Sequence, residues 1–259
     1  MKLARAIPAA LADAGLASLA TFIVSLYAIG KWQSDAAATL GIYFLYSTAV
    51  IMAATVPRQL ILVPAQRVAL DVPEEARVAL FGRIVRVGFP AVAGSALLVV
   101  LALPIGMSQQ LSFDDQAPFL ITAVIAALVT PLQAHARRLL HLAGRSLAAV
   151  VVSGVQLATV AVTLAVLATS SIAPEWIPIG ALAAANVASI LTAGVMMIRA
   201  TARLDEALAA VAAEVRAQLR YRTLAVSGRW LLGSGGLSTA NNFLVEGAIV
   251  FVVGSPALA

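Results

Sequence analysis

Long apolar segments separated by short polar connections dominate the chain. Seven of them, each about 20 residues or more, are long enough to cross the roughly 30 Å hydrocarbon core of a bilayer as helices. They cover residues 9–30, 38–64, 87–107, 117–136, 147–170, 177–198 and 231–253. A transmembrane β-strand needs only about 10 alternating residues, so the lengths indicate helices. The pattern predicts an all-α, polytopic membrane protein.

The basic residues lie on alternate connections between these segments. With the N-terminus in the cytoplasm, 16 of the 17 lysines and arginines fall on the inner side, and Lys31 alone falls outside. The outer connections carry the acidic residues Asp35, Asp114, Asp115 and Glu175. Because basic residues concentrate in cytoplasmic connections, we expect a multi-pass protein of the cytoplasmic (inner) membrane with a cytoplasmic N-terminus.

Composition narrows the function classes. Hydrophobic residues make up 61% of the chain and charged residues 11%, against about 25% charged residues in soluble domains. There is no cysteine, and no metalloprotease, hydrolase or nucleotide-loop motif is found. We therefore expect that the protein is not an enzyme and has no cofactor and no metal site. We also expect no nucleic-acid partner, since membrane topology accounts for the net charge of +5.

Two inner connections are long enough to contain helices. In the connection 67–86, Asp71 is placed to cap a helix that has Pro73, Glu74 and Glu75 in its first turn. In 199–229 apolar residues recur every three or four positions along a charged segment, namely Leu204, Leu208, Val211, Val215 and Leu219. We interpret 199–229 as an amphipathic cytoplasmic linker helix.

The first and last apolar segments contain similar sequences. Residues 15–22 read GLASLATF and residues 236–243 read GLSTANNF. An even number of helices separates the two, so both enter the membrane from the same side, as in a parallel repeat. The repeat predicts a six-helix transmembrane bundle in 1–198, the linker in 199–229, and the first helix of a second, incomplete bundle in 230–259, with the chain truncated after its seventh helix.

Three short stretches resemble a known family. They are Asp13–Phe22 (DAGLASLATF), Leu40–Tyr43 (LGIY) and Val56–Arg58 (VPR), and they look like the start of the polysaccharide-exporter (O-antigen or lipid-linked oligosaccharide) flippases of the multidrug/oligosaccharidyl-lipid/polysaccharide flippase superfamily. The resemblance implies two six-helix bundles around a central cavity, which export lipid-linked glycans by alternating access. This chain departs from that pattern because it lacks most of the second bundle.

Polar residues inside membrane segments are costly and often functional. The seventh segment is the richest, with Asn241, Asn242 and Glu246. Glu246 has no basic partner in its own helix, which suits a proton- or sodium-coupled cycle; the alternative is a hydrogen bond to a neighbouring helix.

Arg58 follows Pro57 in the second segment. One interpretation is a cavity cation that binds the phosphate of a lipid-linked substrate. The alternative is a side chain that extends to the nearby inner boundary. Pro57 itself predicts a kink in this helix.

The remaining candidates are single polar residues in other helices. Asp13 either couples to a cation or interacts with the positive N-terminal end of its own helix. Gln156 and Asn186 form hydrogen bonds between helices or contact substrate. The basic group Arg137, Arg138, His141 and Arg145 is interpreted as a determinant of topology, with anionic lipid binding as a second role.

The sequence therefore favours a flippase-like transporter for polysaccharide or lipid-linked oligosaccharide. The alternatives are a multidrug or cation antiporter of the same superfamily and a non-transporting membrane subunit of a glycan assembly complex. The expected partners are the lipid bilayer, a lipid-linked glycan, a proton or sodium ion, and either a glycan polymerase or glycosyltransferase or a second copy of the chain.

Overall fold

The structure, a computed structural model, describes residues 2–32, 38–107, 113–172, 176–201 and 213–235. Helices make up nearly all of these residues, and no strand occurs among them. The main helices are α1 (Lys2–Trp32), α2 (Ala38–Pro57), α3 (Val63–Leu70), α4 (Phe81–Met107), α5 (Phe113–Leu142), α6 (Ser146–Ala168) and α7 (Trp176–Thr201). A short helix, α8 (Ala213–Gln218), and helix 221–235 follow.

Six stretches of helix are long and apolar enough to cross a membrane, which confirms the first six predicted segments. They are Ile7–Gly30, Tyr46–Leu70, Ala76–Leu98, Leu120–Leu142, Ser146–Ala168 and Trp176–Arg199. The protein is thus an all-α, multi-pass membrane protein in which a seventh helix follows the six. Most of the predicted seventh segment, with the GLSTANNF sequence, lies outside the described residues, and the division at 198 and 229 stays a prediction.

The six spans form one bundle that joins consecutive spans and also spans far apart in the sequence. Helix α1 packs mainly on α6, α6 on α7, α7 on α5, and α5 on α4, while α2 packs on α4 and α5. An apolar cluster fills each end of the bundle. We call the end where α5 finishes and α6 begins the basic end, because Arg137, Arg138 and Arg145 lie there.

The second span is a composite helix. Its α-helical hydrogen bonding stops at Pro57, continues as a π-helix over Arg58–Leu62, and resumes in α3 up to Leu70. Proline removes one backbone donor from a helix interior, and a π-helical turn is one way for the chain to accommodate that loss. The disturbance predicted at Pro57 therefore takes the form of a π-helix, and the span ends six residues later than expected.

The connection between the second and third spans differs from the prediction. Asp71 terminates α3 instead of capping the next helix, and the 3₁₀-helix Glu74–Leu80 begins after Pro73 with no side-chain cap. Arg77 holds this connection. Its guanidinium donates to the carbonyl groups of Ala69, Leu70, Val72 and Leu142, at 2.6–3.2 Å, so one side chain satisfies the ends of both α3 and α5.

Helix 221–235 packs closely against the π-helix. A methyl group added at Gly228 would overlap the backbone carbonyl oxygen of Leu60. One added at Gly235 would lie 2.8 Å from the side-chain nitrogen Nε2 of Gln59. By contrast, Gly15 and Gly233 have no atom within 4 Å of such a methyl group among the described residues.

Candidate functional site

The carboxylate of Asp13 is the centre of a buried polar cluster at the basic end. Arg137 of α5 donates from Nε to Oδ1 at 2.9 Å and from Nη2 to Oδ2 at 2.7 Å. Ser153 of α6 donates to Oδ1 at 2.6 Å, and His141 Nε2 lies 2.9 Å from Oδ2. The Asp13 side chain is 6% exposed and that of Arg137 17%. One carboxylate thus joins three helices.

This geometry bears on both interpretations of Asp13, coupling to a cation and interaction with the N-terminal end of α1. The side chain bonds to groups of α5 and α6, and not to the N-terminal end of its own helix. Two carboxylate oxygens offer about four acceptor positions, and four donors already occupy them. A cation could therefore bind Asp13 only by displacing one of these donors, while Arg137 neutralises its charge.

Two further arginines lie near this cluster. Arg58, in the π-helix, is exposed, and Arg138, next to Arg137 in α5, is half-buried. The positive charges of Arg58 and Arg137 both act on Arg138. Within the described ranges neither Arg58 nor Arg138 forms an ion pair, and Asp13 is paired with Arg137. We call Arg58 and Arg138 the basic pair.

A second polar cluster lies deeper in the bundle, between α5, α6 and α7. Gln133 donates to the side-chain oxygen of Gln156 at 2.9 Å and to Ser189 at 3.1 Å. Gln156 donates to Asn186 at 3.0 Å, and Asn186 donates to Thr130 at 3.2 Å. We call these five residues the amide network. Gln156 and Asn186 are thus brought together, as the interpretation of hydrogen bonds between helices expects.

His135 is enclosed next to the basic pair. It is 1% exposed, its ring stacks on Phe81 with 5.9 Å between centroids, and its Nδ1 lies 2.9 Å from the side-chain nitrogen of Gln66. Its Nε2 has no hydrogen-bond partner among the described residues. An amide nitrogen can only donate, so Nδ1 accepts and Nε2 carries the proton of the neutral ring.

The tyrosine of the Leu40–Tyr43 motif has a defined role in packing. Tyr43 is 4% exposed, and its hydroxyl lies 3.0 Å from the hydroxyl of Ser25 in α1. This hydrogen bond joins the first two spans near the end opposite to the basic end.

Three candidates of the seventh segment, Asn241, Asn242 and Glu246, lie outside the described residues. Their predicted roles stay predictions. In the part of the chain that the structure does describe, no three His, Asp or Glu side chains come together as a metal site.

Sequence reasoning missed several members of both clusters, although α5 gives a signal. Gln133, Arg137 and His141 follow one another at intervals of four residues, so they share one face of an otherwise apolar helix. That polar stripe indicates a face turned towards other polar groups. The sequence interpretation of the arginine and the histidine was a determinant of topology, with anionic lipid binding as a second role.

No family model, no curated protein and no solved structure matches the chain. The observations that bear on function are therefore the membrane-spanning bundle and the geometry of its polar groups.

Proposed function

We propose that the protein is a membrane transporter of the flippase type, which moves a lipid-linked oligosaccharide or polysaccharide precursor outward across the cytoplasmic membrane. The six membrane-spanning helices and the resemblance of Asp13–Phe22 and Leu40–Tyr43 support this class. Both features suit the antiporters of the same superfamily as well. The basic pair is the observation that favours an anionic, lipid-borne substrate.

The basic pair offers two positive charges to an anion. Arg58 and Arg138 add two like charges to a site at the margin of an apolar bundle, and Arg137 is already paired with Asp13. Guanidinium groups match the geometry of phosphate oxygens and bind them through paired hydrogen bonds. A phosphate or pyrophosphate group would relieve the repulsion between the two arginines.

The position of the pair suits a substrate held in the bilayer by its lipid. Arg138 lies four residues before the end of α5 at Leu142, about 6 Å along the helix axis at 1.5 Å per residue. By the distribution of basic residues the basic end faces the cytoplasm. There a lipid-linked glycan would present its phosphate at headgroup depth while its hydrocarbon chain stays in the membrane.

The two alternatives make different demands on the residues. A cation antiporter needs a carboxylate with free oxygen atoms, which the four donors around Asp13 do not leave, so this function would depend on Glu246. A non-transporting subunit needs no substrate site, and the basic pair would then contact only lipid headgroups.

The test is transport by the purified full-length gene product in proteoliposomes. A fluorescent sugar attached to polyprenyl pyrophosphate reports translocation, with protein-free vesicles as the blank. Each of Arg58→Gln and Arg138→Gln should lower the initial rate about tenfold, because one charge-assisted hydrogen bond stabilises by about 1.5–3 kcal/mol. Arg86→Gln, at an exposed arginine of α4, is the matched control and should keep the parental rate.

The outcomes separate the three functions. Equal rates in Arg58→Gln, Arg138→Gln and the parent would contradict the proposed role of the basic pair. No translocation by the parent, together with cation-driven uptake of a drug-like dye, would select the antiporter. No flux of either kind, with glycosyltransferases or polymerases copurifying, would select the subunit.

A further inference from the structure

Helix α1 is attached to the bundle in two different ways along its length. In its second half, Ala20, Val24 and Ala28 are each 0% exposed and belong to the apolar cluster at the end opposite to the basic end. In the half nearer the basic end, Asp13 is the only buried residue between Ala9 and Ala20, a stretch in which every residue is described, while Leu16 and Ala17 are half-buried. None of the residues 7–19 belongs to either apolar cluster, so the first half lacks the cluster packing that fixes the second.

The contacts of Asp13 replace that packing. Helix α1 has almost no direct backbone contact with α5, yet Arg137 and His141 reach across from α5 to the Asp13 carboxylate. Arg137 also donates to the backbone carbonyl of Asp13 at 3.2 Å. Ser153 attaches the same carboxylate to α6. In the basic-end half of α1, the polar contacts with α5 and α6 are therefore concentrated on Asp13.

The two kinds of attachment respond differently to movement. Apolar packing is non-directional, so the half with Ala20, Val24 and Ala28 can rotate slightly and remain buried. Hydrogen bonds weaken steeply with distance and misalignment. A small displacement of Asp13 therefore breaks its bonds together. Just beyond Asp13, Gly15 is exposed, and no neighbour lies within 4 Å of a methyl group built there.

We propose that residues 7–19 of α1 form a lever, that Asp13 is the latch that holds it against α5 and α6, and that the apolar half of α1 is its pivot. When the latch opens, the basic-end half of α1 swings away while the other half stays in place. This inference rests on the packing and the polar contacts of α1 and does not depend on the proposed transport function.

Distances between paired spin labels test the lever, and the absence of cysteine from the chain makes each introduced pair unique. Leu11→Cys with Leu147→Cys reports the basic end of α1 against α6, and Ile29→Cys with Val166→Cys reports the opposite end. All four side chains are exposed, at 70%, 76%, 46% and 60%. Each pair is measured in lipid vesicles by double electron–electron resonance, with Asp13 present, as Asp13→Asn and as Asp13→Ala.

With the latch removed in Asp13→Ala, the Leu11/Leu147 distribution should broaden and its mean should increase by about 2 Å or more, the scale of helix shifts in switching proteins. Asp13→Asn should give a smaller change of the same kind, and the Ile29/Val166 distance should stay constant. Asn186→Ala, in the amide network, removes hydrogen bonds to α5 and α6 and should change neither distance.

Two results would overturn the lever. An unchanged Leu11/Leu147 distribution in Asp13→Ala would show that other contacts hold this half of α1. Equal changes at both ends would show that α1 moves as a whole. If Asp13→Ala does not fold, Asp13→Asn and Ser153→Ala decide the matter, because unaltered Leu11/Leu147 distributions in both also contradict the latch.

Discussion

The guanidinium of Arg137 holds the carboxylate of Asp13 by two hydrogen bonds, from Nε to Oδ1 at 2.9 Å and from Nη2 to Oδ2 at 2.7 Å. The two residues are 124 positions apart in the chain and lie on different helices. The side chains are 17% and 6% exposed. Both charges are thus largely withdrawn from water, and each depends on the other for compensation.

Removing one member of this pair should be more harmful than replacing both. Asp13→Ala leaves Arg137 buried without its counter-charge, and such a loss destabilises by about 3–5 kcal/mol. The double variant Asp13→Asn/Arg137→Gln should recover most of that loss because a neutral amide pair can still share a hydrogen bond. A double-mutant cycle of Asp13→Asn, Arg137→Gln and the double variant, followed by unfolding in detergent, measures the coupling. Additive single effects would contradict the pairing.

Helix 221–235 should not tolerate a side chain at Gly228. In Gly228→Ala the new methyl group overlaps the carbonyl oxygen of Leu60, so one of the two helices must shift, at a cost of about 1–3 kcal/mol. Gly233→Ala is the matched control in the same helix, since its methyl group meets nothing within 4 Å. We expect a lower melting temperature for Gly228→Ala only. Equal melting temperatures would place helix 221–235 away from the π-helix.

The amide network should behave as a unit. Gln156→Leu removes the acceptor of Gln133 and the donor to Asn186, and each stranded polar group costs about 1–3 kcal/mol. The control Thr159→Val is also on α6, where the hydroxyl bonds only to the carbonyl of Val155 in its own helix. Thermal unfolding should show a clear loss for Gln156→Leu and little for Thr159→Val. A loss of equal size in both would indicate a general effect of polarity in α6.

Arg77 should not be replaceable by lysine. The guanidinium reaches four carbonyl groups through its rigid fork of donors, whereas an ammonium is a point charge that cannot span them. Arg77→Lys should therefore accelerate amide hydrogen exchange in residues 69–72 and 142–145. Arg67→Lys, at an exposed position of α3, should leave that exchange unchanged. Slow exchange in both variants would mean that other contacts hold these helix ends.

The helices were predictable from sequence, whereas the pairing of their polar groups was not. Runs of apolar residues reveal spans because burial in lipid depends on length and composition alone. Asp13, Gln156 and Asn186 were visible as polar residues in those spans. Their hydrogen-bond partners depend on which helices pack against one another, and a hydropathy pattern does not show which helices these are. The closing contacts, α1 with α6 and α5 with α7, join segments far apart in the chain.

Local geometry accounts for the errors of detail. Asp71 has a favourable residue type for a cap, but its backbone already belongs to the end of α3. Gly15, which opens the GLASLATF sequence, has open space beside it, whereas Gly228, which no motif singled out, lies against a backbone carbonyl. A missing side chain permits a close approach without showing where one occurs.

The π-helix Arg58–Leu62 also changes how the second span presents its residues to its surroundings. One additional residue in a helical turn rotates everything after it by about 100°, since an α-helix has 3.6 residues per turn. The faces of α2 and α3 are therefore out of phase, and a single helical wheel drawn through Pro57 places Gln66 and Arg67 on the wrong sides. Gln66 meets His135 and Arg67 stays exposed because of that inserted residue.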